Sequence, residues 1–524
     1  MESRHNVLVP VVLEQQPMPF SENSDHRFSD TVEDTIASIR EVACRPINTF
    51  MLIQGCVMLA CLVLGWIWAA RNRRRELQRT LSDVAKKRVA TGGITSSPPR
   101  TKTEGSLQKL PGVSVILPVK GVHERTLENW KSLLTTDYAG DLEFAFVVET
   151  LDDPAAHLLQ GLESEKAGRM FQLVEAGTSV TCSQKIFSMQ AGVAACPGTS
   201  KYVLFLDDDI ELHPGSVEEL VNSMEQEAEV FVATGYPLDV VVPESSFAAY
   251  LMMVYHMPLL IAFSHSKYAM HLWGGCMMVR LEDLREDKYG AMSAWRDGGY
   301  SDDLLLASIC GANKRSIACP ARAIFPNYIS PTTTFPVYWN YLRRQLYVLY
   351  TWSSAYNCIV NQTLLYAHIY VSLGITLPFF IAMLHLVLLI TELLLLPMRH
   401  VYKGPGAALP WLEAPDCPLG GVSMMGYLLM VYLAGWAMRK MCVASSDLCD
   451  ALTSPGRPSP IPTLPMRNTR WHLVVAAFLT ANFILPLCAL VTGVRSEVEW
   501  TGVTYVKSGG RVKPIRRDDQ RSEV

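Results

Sequence analysis

Residues 202–221 read YVLFLDDDIELHPGSVEELV: an apolar run, three consecutive aspartates, then a helix-forming stretch. Tyr202–Leu206 is short, aromatic and β-branched, which predicts a buried strand. Pro214 falls near the first turn of the helix that follows, where its missing N–H costs nothing. Three similar runs stand upstream: Val113–Pro118 (VSVILP), Leu142–Val148 (LEFAFVV) and Phe171–Val174. Amphipathic or polar helical stretches such as Thr126–Leu134 separate them. Strand alternating with helix predicts an α/β domain built on a mostly parallel sheet. Ligands of such sheets bind outside the carboxyl ends of the strands. Polar residues directly after each run therefore become candidates.

Those positions are acidic three times. Asp152 and Asp153 follow LEFAFVVETL, Asp207, Asp208 and Asp209 follow YVLFL, and Asp302 and Asp303 lie in GGYSDDLLLA. Carboxylates at a strand end cannot all stay charged without a cation or hydrogen bonds. If the strand continues, Asp207 and Asp209 share one side and Asp208 takes the other. Two carboxylates on one side suit Mg²⁺ or Mn²⁺, which also takes phosphate oxygens. The alternative is an acidic turn leading into HPGSVEELV. Asp302 or Asp303 reads first as the N-cap of LLLASI, and Asp303 alternatively as a general base. Asp152–Asp153 precedes Pro154, so it either starts a turn or helix or meets a nucleoside. GxGxxG, Walker A, GxSxG and HExxH signatures are absent from the sequence.

The rest of the chain frames this region with apolar segments. Of 524 residues, 49% are hydrophobic, and the net charge of -4 argues against a nucleic-acid partner. Phe50–Ala70 is uncharged and long enough to cross about 30 Å of hydrocarbon. Arg71, Arg73, Arg74 and Arg75 follow at once, which places the downstream part in the cytosol by the positive-inside rule. Further apolar stretches cover 365–396, 421–438 and 471–494; the first is a tilted kinked helix or a tight pair, giving three or four C-terminal spans. Residues 1–49 are expected to be disordered, 71–109 a basic and polar linker, 110–360 the catalytic domain, 361–494 the membrane region and 495–524 a basic tail. Thirteen cysteines without a close pair predict free thiols rather than a disulfide framework. Phe247–Phe263 is apolar and reads either as an interfacial segment or as a buried helix. Trp339, Tyr341, Tyr347, Tyr350 and Trp352 form an aromatic shelf or a packed helix face. Asn361-Gln362-Thr363 is a formal glycosylation acceptor, expected to stay unmodified in a cytosolic setting.

PGVSVILPVKGV (111–122), DDPA (152–155), QKIFSMQAG (184–192), FLDDDIELHPGSVEELV (205–221), LWGGCMMVRLEDLR (272–285) and YSDDLLLA (300–307) together resemble the ceramide glucosyltransferases, in places their plant-type branch. The resemblance covers about 110–350. It implies a GT-A-like domain on the cytosolic face of Golgi or endoplasmic reticulum membranes. It also implies transfer of glucose from UDP-glucose to the primary hydroxyl of ceramide, with inversion. Carried over, Asp303 is the base, Asp207 with Asp209 the metal site, and Asp152, Asp153, Lys185, Asp207 and Arg343 the donor contacts. His265 and Trp273 become acceptor contacts. The family's (Q/R)xxRW signature is incomplete here: in Asn340-Tyr341-Leu342-Arg343-Arg344, Arg343 fits the arginine and the flanking positions do not. A processive polysaccharide synthase, a polyprenyl-phosphate or sterol transferase, and a non-catalytic scaffold are the rival readings.

Overall fold

The computed structural model describes residues 22–90, 110–163, 171–403, 410, 417–453 and 464–517. The expected linker at 91–109 and the outermost termini lie outside them. The chain divides into two compact units, Met1–Leu52 with Phe380–Met425, and Ile53–Phe379 with Gly426–Val524.

The larger unit holds an eight-stranded sheet. Its strands are β1 (Gly112–Pro118), β2 (Leu142–Val148), β3 (Phe171–Glu175), β4 (Ser200–Leu206), β5 (Val230–Thr234), β7 (Tyr268–Ala269), β8 (Cys276–Arg280) and β9 (Ser316–Ala318). The order is β3-β2-β1-β4-β8-β5-β9-β7. The β3-β2-β1-β4 block is parallel throughout, and only β8 and β7 run against the rest. The mostly parallel sheet expected from the sequence is therefore present. A separate parallel pair joins β6 (Tyr236–Val240) to β10 (Ile324–Tyr328).

Alternation along the strands builds one core on each face. Val113, Val115 and Leu117 of β1 join Phe144, Phe146, Leu204 and Leu206 on one side. Ile116 joins Ala145, Val147, Val203 and Phe205 on the other. Chain order reverses between β1 and β4, the crevice where open α/β sheets take ligands. β8 runs against β4 with Cys276 opposite Leu206. Residues just before β8 thus lie beside those just after β4.

Among the described residues, five helical segments are long and apolar enough to cross a membrane by length and composition: Pro46–Lys86, Phe247–His265, Ala355–His400, Pro418–Thr453 and Trp471–Val494. The stretch 365–396 belongs to one continuous helix, Ala355–Lys403, and not to a tight pair. The Phe247–His265 segment is two helices, Phe247–His256 and Leu259–His265, broken at Met257–Pro258. At about 1.5 Å per residue neither piece reaches across 30 Å of hydrocarbon.

Three expectations about the flanks need correction. The first helix continues past the apolar run to Ala90, so 71–90 is not linker. Arg73 is buried: it donates to Phe263 O at 2.8 Å and Ala321 O at 3.0 Å, and its guanidinium lies 4.1 Å from the Tyr236 ring. One arginine that resembles a membrane-flanking charge in fact docks the helix onto the catalytic unit. Glu22–Ala43 is a helix and not a disordered tail; the signal was Val32, Ile36, Ile39 and Ala43 at helical spacing. In the smaller unit Arg40 of this helix pairs at 2.7 Å with Glu392, whose side chain is wholly buried. The "basic tail" is a three-stranded antiparallel sheet of β11 (Glu497–Trp500), β12 (Val503–Ser508) and β13 (Arg511–Arg517).

The free-thiol expectation holds for 11 cysteines and fails at Cys44, which is disulfide-bonded. A bridge closed by tertiary contact leaves no spacing for the sequence to display. Asn361 is buried, donating its amide to Thr351 O at 2.7 Å, so it is inaccessible to glycosylation in the folded chain.

Candidate functional site

One cavity of about 520 Å³ opens at the carboxyl edge of the sheet. Two of the three acidic clusters meet there. Asp207, Asp208 and Asp209 line it beside Asp302 and Asp303. Strand β4 ends at Leu206, so the three aspartates lie in a turn. Strand alternation does not apply to them, and all three face the cavity instead of two.

Lys185 ties the clusters together. It is the second residue of the Gln184–Ala195 helix, whose cap is the Ser183 hydroxyl accepting from Ile186 N. Its Nζ lies 2.7 Å from Asp207 Oδ1, 3.2 Å from Asp302 Oδ2 and 3.2 Å from Gly274 O. Burial opposes the charge on Lys185, but the two carboxylates outweigh it and hold its pKa above the ordinary lysine range. The same burial drives the carboxyls up. Asp209 reaches about 7, with Asp207 and Asp208 adding repulsion. Asp302 reaches about 6 even though Lys185 partly offsets the burial. Asp208 sits 3.6 Å from His123 Nε2 and raises that imidazole by accepting its hydrogen bond.

Asp303 is the second residue of the Asp302–Ala312 helix and shares its cap. Ser301 is the cap, its hydroxyl accepting from Leu304 N. Asp303 Oδ2 accepts from Gly274 N at 3.3 Å, and Oδ1 accepts from Leu304 N at 2.7 Å and from the Ser301 hydroxyl. Oδ1 is thus held at the helix end while Oδ2 meets the Gly274 turn, and the residue lines the cavity. The WGG turn before β8 fits closely around this pair. A Cβ on Gly274 would meet Asp302 Oδ2 at 3.1 Å, and one on Gly275 would strike the Trp273 ring at 2.5 Å. Asp207 N donates to Gly275 O at 3.1 Å, fixing the aspartate turn to the same loop. Trp273 lines the cavity and stacks on Phe325.

The opposite wall is apolar. Leu259, Leu260 and Phe263 come from the broken helical segment, and Leu349 and Leu364 from farther along the chain. The segment 247–263 is half-buried and lines the site. Of the aromatic residues between 339 and 352, Tyr341 lines the cavity, whereas Tyr347 is buried and Tyr350 donates to Ala489 O at 2.9 Å. A packed helix face describes those two.

Four expected contacts lie away from the cavity lining. Asp153 is buried, and its Oδ1 accepts from Gly121 N and Ala155 N, both at 2.9 Å, capping the Pro154–Glu163 helix. Asp152 is exposed. Glu149, three residues earlier, lines the cavity instead and pairs with Lys120 at 3.3 Å. Arg343 donates to Glu497 O at 2.6 Å and is displaced by its neighbour Arg344, which lines the cavity between the Tyr341 and Trp500 rings. His265 is exposed against Trp68, whereas His256, His271 and His368 line the cavity. Sequence reading also missed Trp500, Thr501 and Tyr505 of the C-terminal sheet, all on the cavity wall. Tyr505 Oη accepts from Gln184 N at 3.0 Å, next to Lys185.

Surplus negative charge is the chemical character of the polar end. Among the described residues no three side chains converge to hold a metal ion by themselves. Asp207 and Asp209 are two of the carboxylates on this wall, and Asp207 is already paired with Lys185 at 2.7 Å.

A mostly parallel α/β unit with acidic residues at its switch point, flanked by candidate membrane helices, defines the class of protein. Residues 80–316 match the family model described as glycosyl transferase family 21, and that segment contains all three aspartate clusters. The match supports nucleotide-sugar glycosyl transfer. Among solved structures, the mannosyltransferase PcManGT from Pyrobaculum calidifontis, in complex with GDP-Man and Mn²⁺, aligns at 12% identity over 75% of this chain and 98% of its own, with a TM-score of 0.37. TarS 1-349 of S. aureus aligns at 13% identity over 78% of this chain and 100% of its own, with a TM-score of 0.30. GalNAc-T7 with UDP, GalNAc and Mn²⁺ aligns at 11% identity over 45% and 48%, also at 0.30.

Proposed function

We propose that this chain transfers glucose from UDP-glucose to the primary hydroxyl of ceramide, with inversion, at the cytosolic face of the Golgi or endoplasmic reticulum membrane. The observation that carries the reading is the two-ended cavity, with five aspartates and Glu149 in its polar lining and an apolar wall at the other end. A nucleotide sugar matches the first and a lipid matches the second. Cys44 precedes the first apolar run and Arg71–Arg75 follow it. A disulfide before the span and basic residues after it fit an oxidising lumen and a cytosolic catalytic unit.

In this mechanism Asp303 accepts the proton of the acceptor hydroxyl. The oxygen attacks the anomeric carbon, the bond to the diphosphate breaks, and UDP leaves with the electron pair. Lys185 and Arg344 supply positive charge for the diphosphate. A Mg²⁺ or Mn²⁺ held by Asp207 and Asp209 would neutralise the departing oxygens. Gly274 N and the Ser301 hydroxyl fix the base in one orientation.

The test is product identification. Membranes containing the chain receive labelled UDP-glucose with ceramide, a sterol or a polyprenyl phosphate. A single-sugar ceramide product is expected. A labelled polymer would mean a polysaccharide synthase, and no UDP release with any acceptor would mean a scaffold.

A further inference from the structure

The apolar wall contains one polar cluster that the transfer chemistry leaves unused. His256 ends the Phe247–His256 helix and places Nδ1 2.7 Å from Asp239 Oδ2. Asn327 donates its amide to the other oxygen, Oδ1, at 3.0 Å. Asn327 and Asp239 are register partners in the β6–β10 pair, so that small parallel sheet holds the carboxylate in place. The Asp239 side chain is only 5% exposed.

Chemistry then fixes the ring. A buried carboxylate at Nδ1 holds a proton there, so in the neutral ring Nε2 is the hydrogen-bond acceptor. Its neighbour is the Tyr341 hydroxyl at 3.4 Å. That separation is long for an O–H···N bond, so a ligand group can displace it. His256, Tyr341 and Asn327 line the same cavity as Asp303, and Leu259, Leu260 and Phe263 continue the wall from His256 onward. A buried carboxylate–imidazole pair loses solvation that an apolar residue of the same volume would not lose. Packing alone does not call for it at this position.

We propose that His256, oriented by Asp239 and Asn327 and joined by Tyr341, recognises a neutral hydrogen-bonding group of the lipid acceptor. The group is an amide N–H or a secondary hydroxyl close to the hydroxyl that receives the sugar. A hydroxyl donates its hydrogen to Nε2 and accepts from Tyr341 at its oxygen, an amide N–H donates to Nε2 alone, and the alkyl chains lie along Leu259, Leu260 and Phe263. This rests on the reading of the cavity as that of a lipid glycosyltransferase.

The full chain, reconstituted in lipid nanodiscs, is assayed with two acceptors of equal chain length. One is an N-acyl amino alcohol with a second hydroxyl; the other is a plain primary alcohol. The wild type is expected to favour the first in kcat/KM by roughly tenfold or more, the worth of one or two hydrogen bonds. His256→Leu and Asp239→Asn are expected to erase most of that preference through the acceptor KM, with a much smaller change in the donor KM. Tyr341→Phe deletes a single oxygen and is expected to shift the preference in the same direction by a few-fold. It carries the test if the other two variants fail to accumulate. An unchanged preference in the variants that accumulate overturns the assignment. Transfer by the wild type to neither acceptor overturns the underlying lipid reading, and this assignment with it.

Discussion

Asp152–Asp153 and Asp302–Asp303 are the same dipeptide at the start of a helix, and the fold uses them differently. In the first pair Asp153 is the cap: its Oδ1 takes Ala155 N and ties down Gly121, leaving it outside the cavity lining. In the second pair the cap is shared: Leu304 N donates to the Ser301 hydroxyl at 3.2 Å and to Asp303 Oδ1 at 2.7 Å. Asp302 is then free to meet Lys185, and Asp303 to receive Gly274 N. The residue one position upstream decides the outcome. Thr150-Leu151 before the first pair supplies no capping hydroxyl where Ser301 supplies one for the second. A carboxylate that shares the helix end with a neighbouring hydroxyl keeps its second oxygen for other partners, as Asp303 Oδ2 does with Gly274 N.

The sharpest way to break this comparison is to neutralise both pairs. Asp303→Asn is expected to lower turnover by about 10²–10⁴-fold while UDP binding persists, and Asp153→Asn to leave turnover close to wild type. Equal losses in a single-turnover assay would dissolve the distinction. The next effect in size concerns the arginines. Arg344→Ala is expected to lower kcat/KM by roughly tenfold or more, the value of a charged hydrogen bond, and Arg343→Ala by distinctly less, because its guanidinium serves Glu497 O. The reverse ranking would return the donor contact to Arg343.

Smaller again is stability. Asp153→Ala and Ser301→Ala each remove a cap and are expected to cost about 1 kcal/mol, read as a lower Tm in detergent. Only Ser301→Ala should also slow transfer, since its hydroxyl holds Asp303. The least effect expected is at the C-terminal sheet. Burial lowers the Lys507 pKa from 10.5 to about 8, and Arg343 adds repulsion. A lysine with a depressed pKa makes the fold most favourable above its unfolded value, and that contribution is lost as pH falls through about 8. Hydrogen-exchange protection of β12, corrected for intrinsic rate, should therefore rise between pH 7 and 9. Lys507→Met should flatten the rise.

Much of the catalytic core was legible. The runs 113–118, 142–148, 171–174 and 202–206 all became strands of the parallel block, and Thr126–Leu134 became the helix expected of it. Runs 113–118, 142–148 and 202–206 are almost wholly buried and read as near-continuous apolar strands, whereas 171–174 is a partly exposed edge strand. The candidate site was legible in part. Asp207, Asp303 and Lys185 converge, whereas Arg343 and His265 point elsewhere. Neighbouring residues on a helix are turned by about 100°, so a motif aligned one place off exchanges a cavity residue for a docking residue.

The sequence by itself determined the alternation of strand and helix, the apolar segments, and the acidic residues waiting at strand ends. Each is a local property, set by side-chain periodicity and by what the next few residues can bond. Only the tertiary structure decided which aspartates share a cavity, that Arg344 supersedes Arg343, and that 497–517 is a wall of the site. Those outcomes depend on contacts between segments hundreds of residues apart, such as Tyr505 with Gln184. No local pattern encodes which distant partner will satisfy a buried polar group.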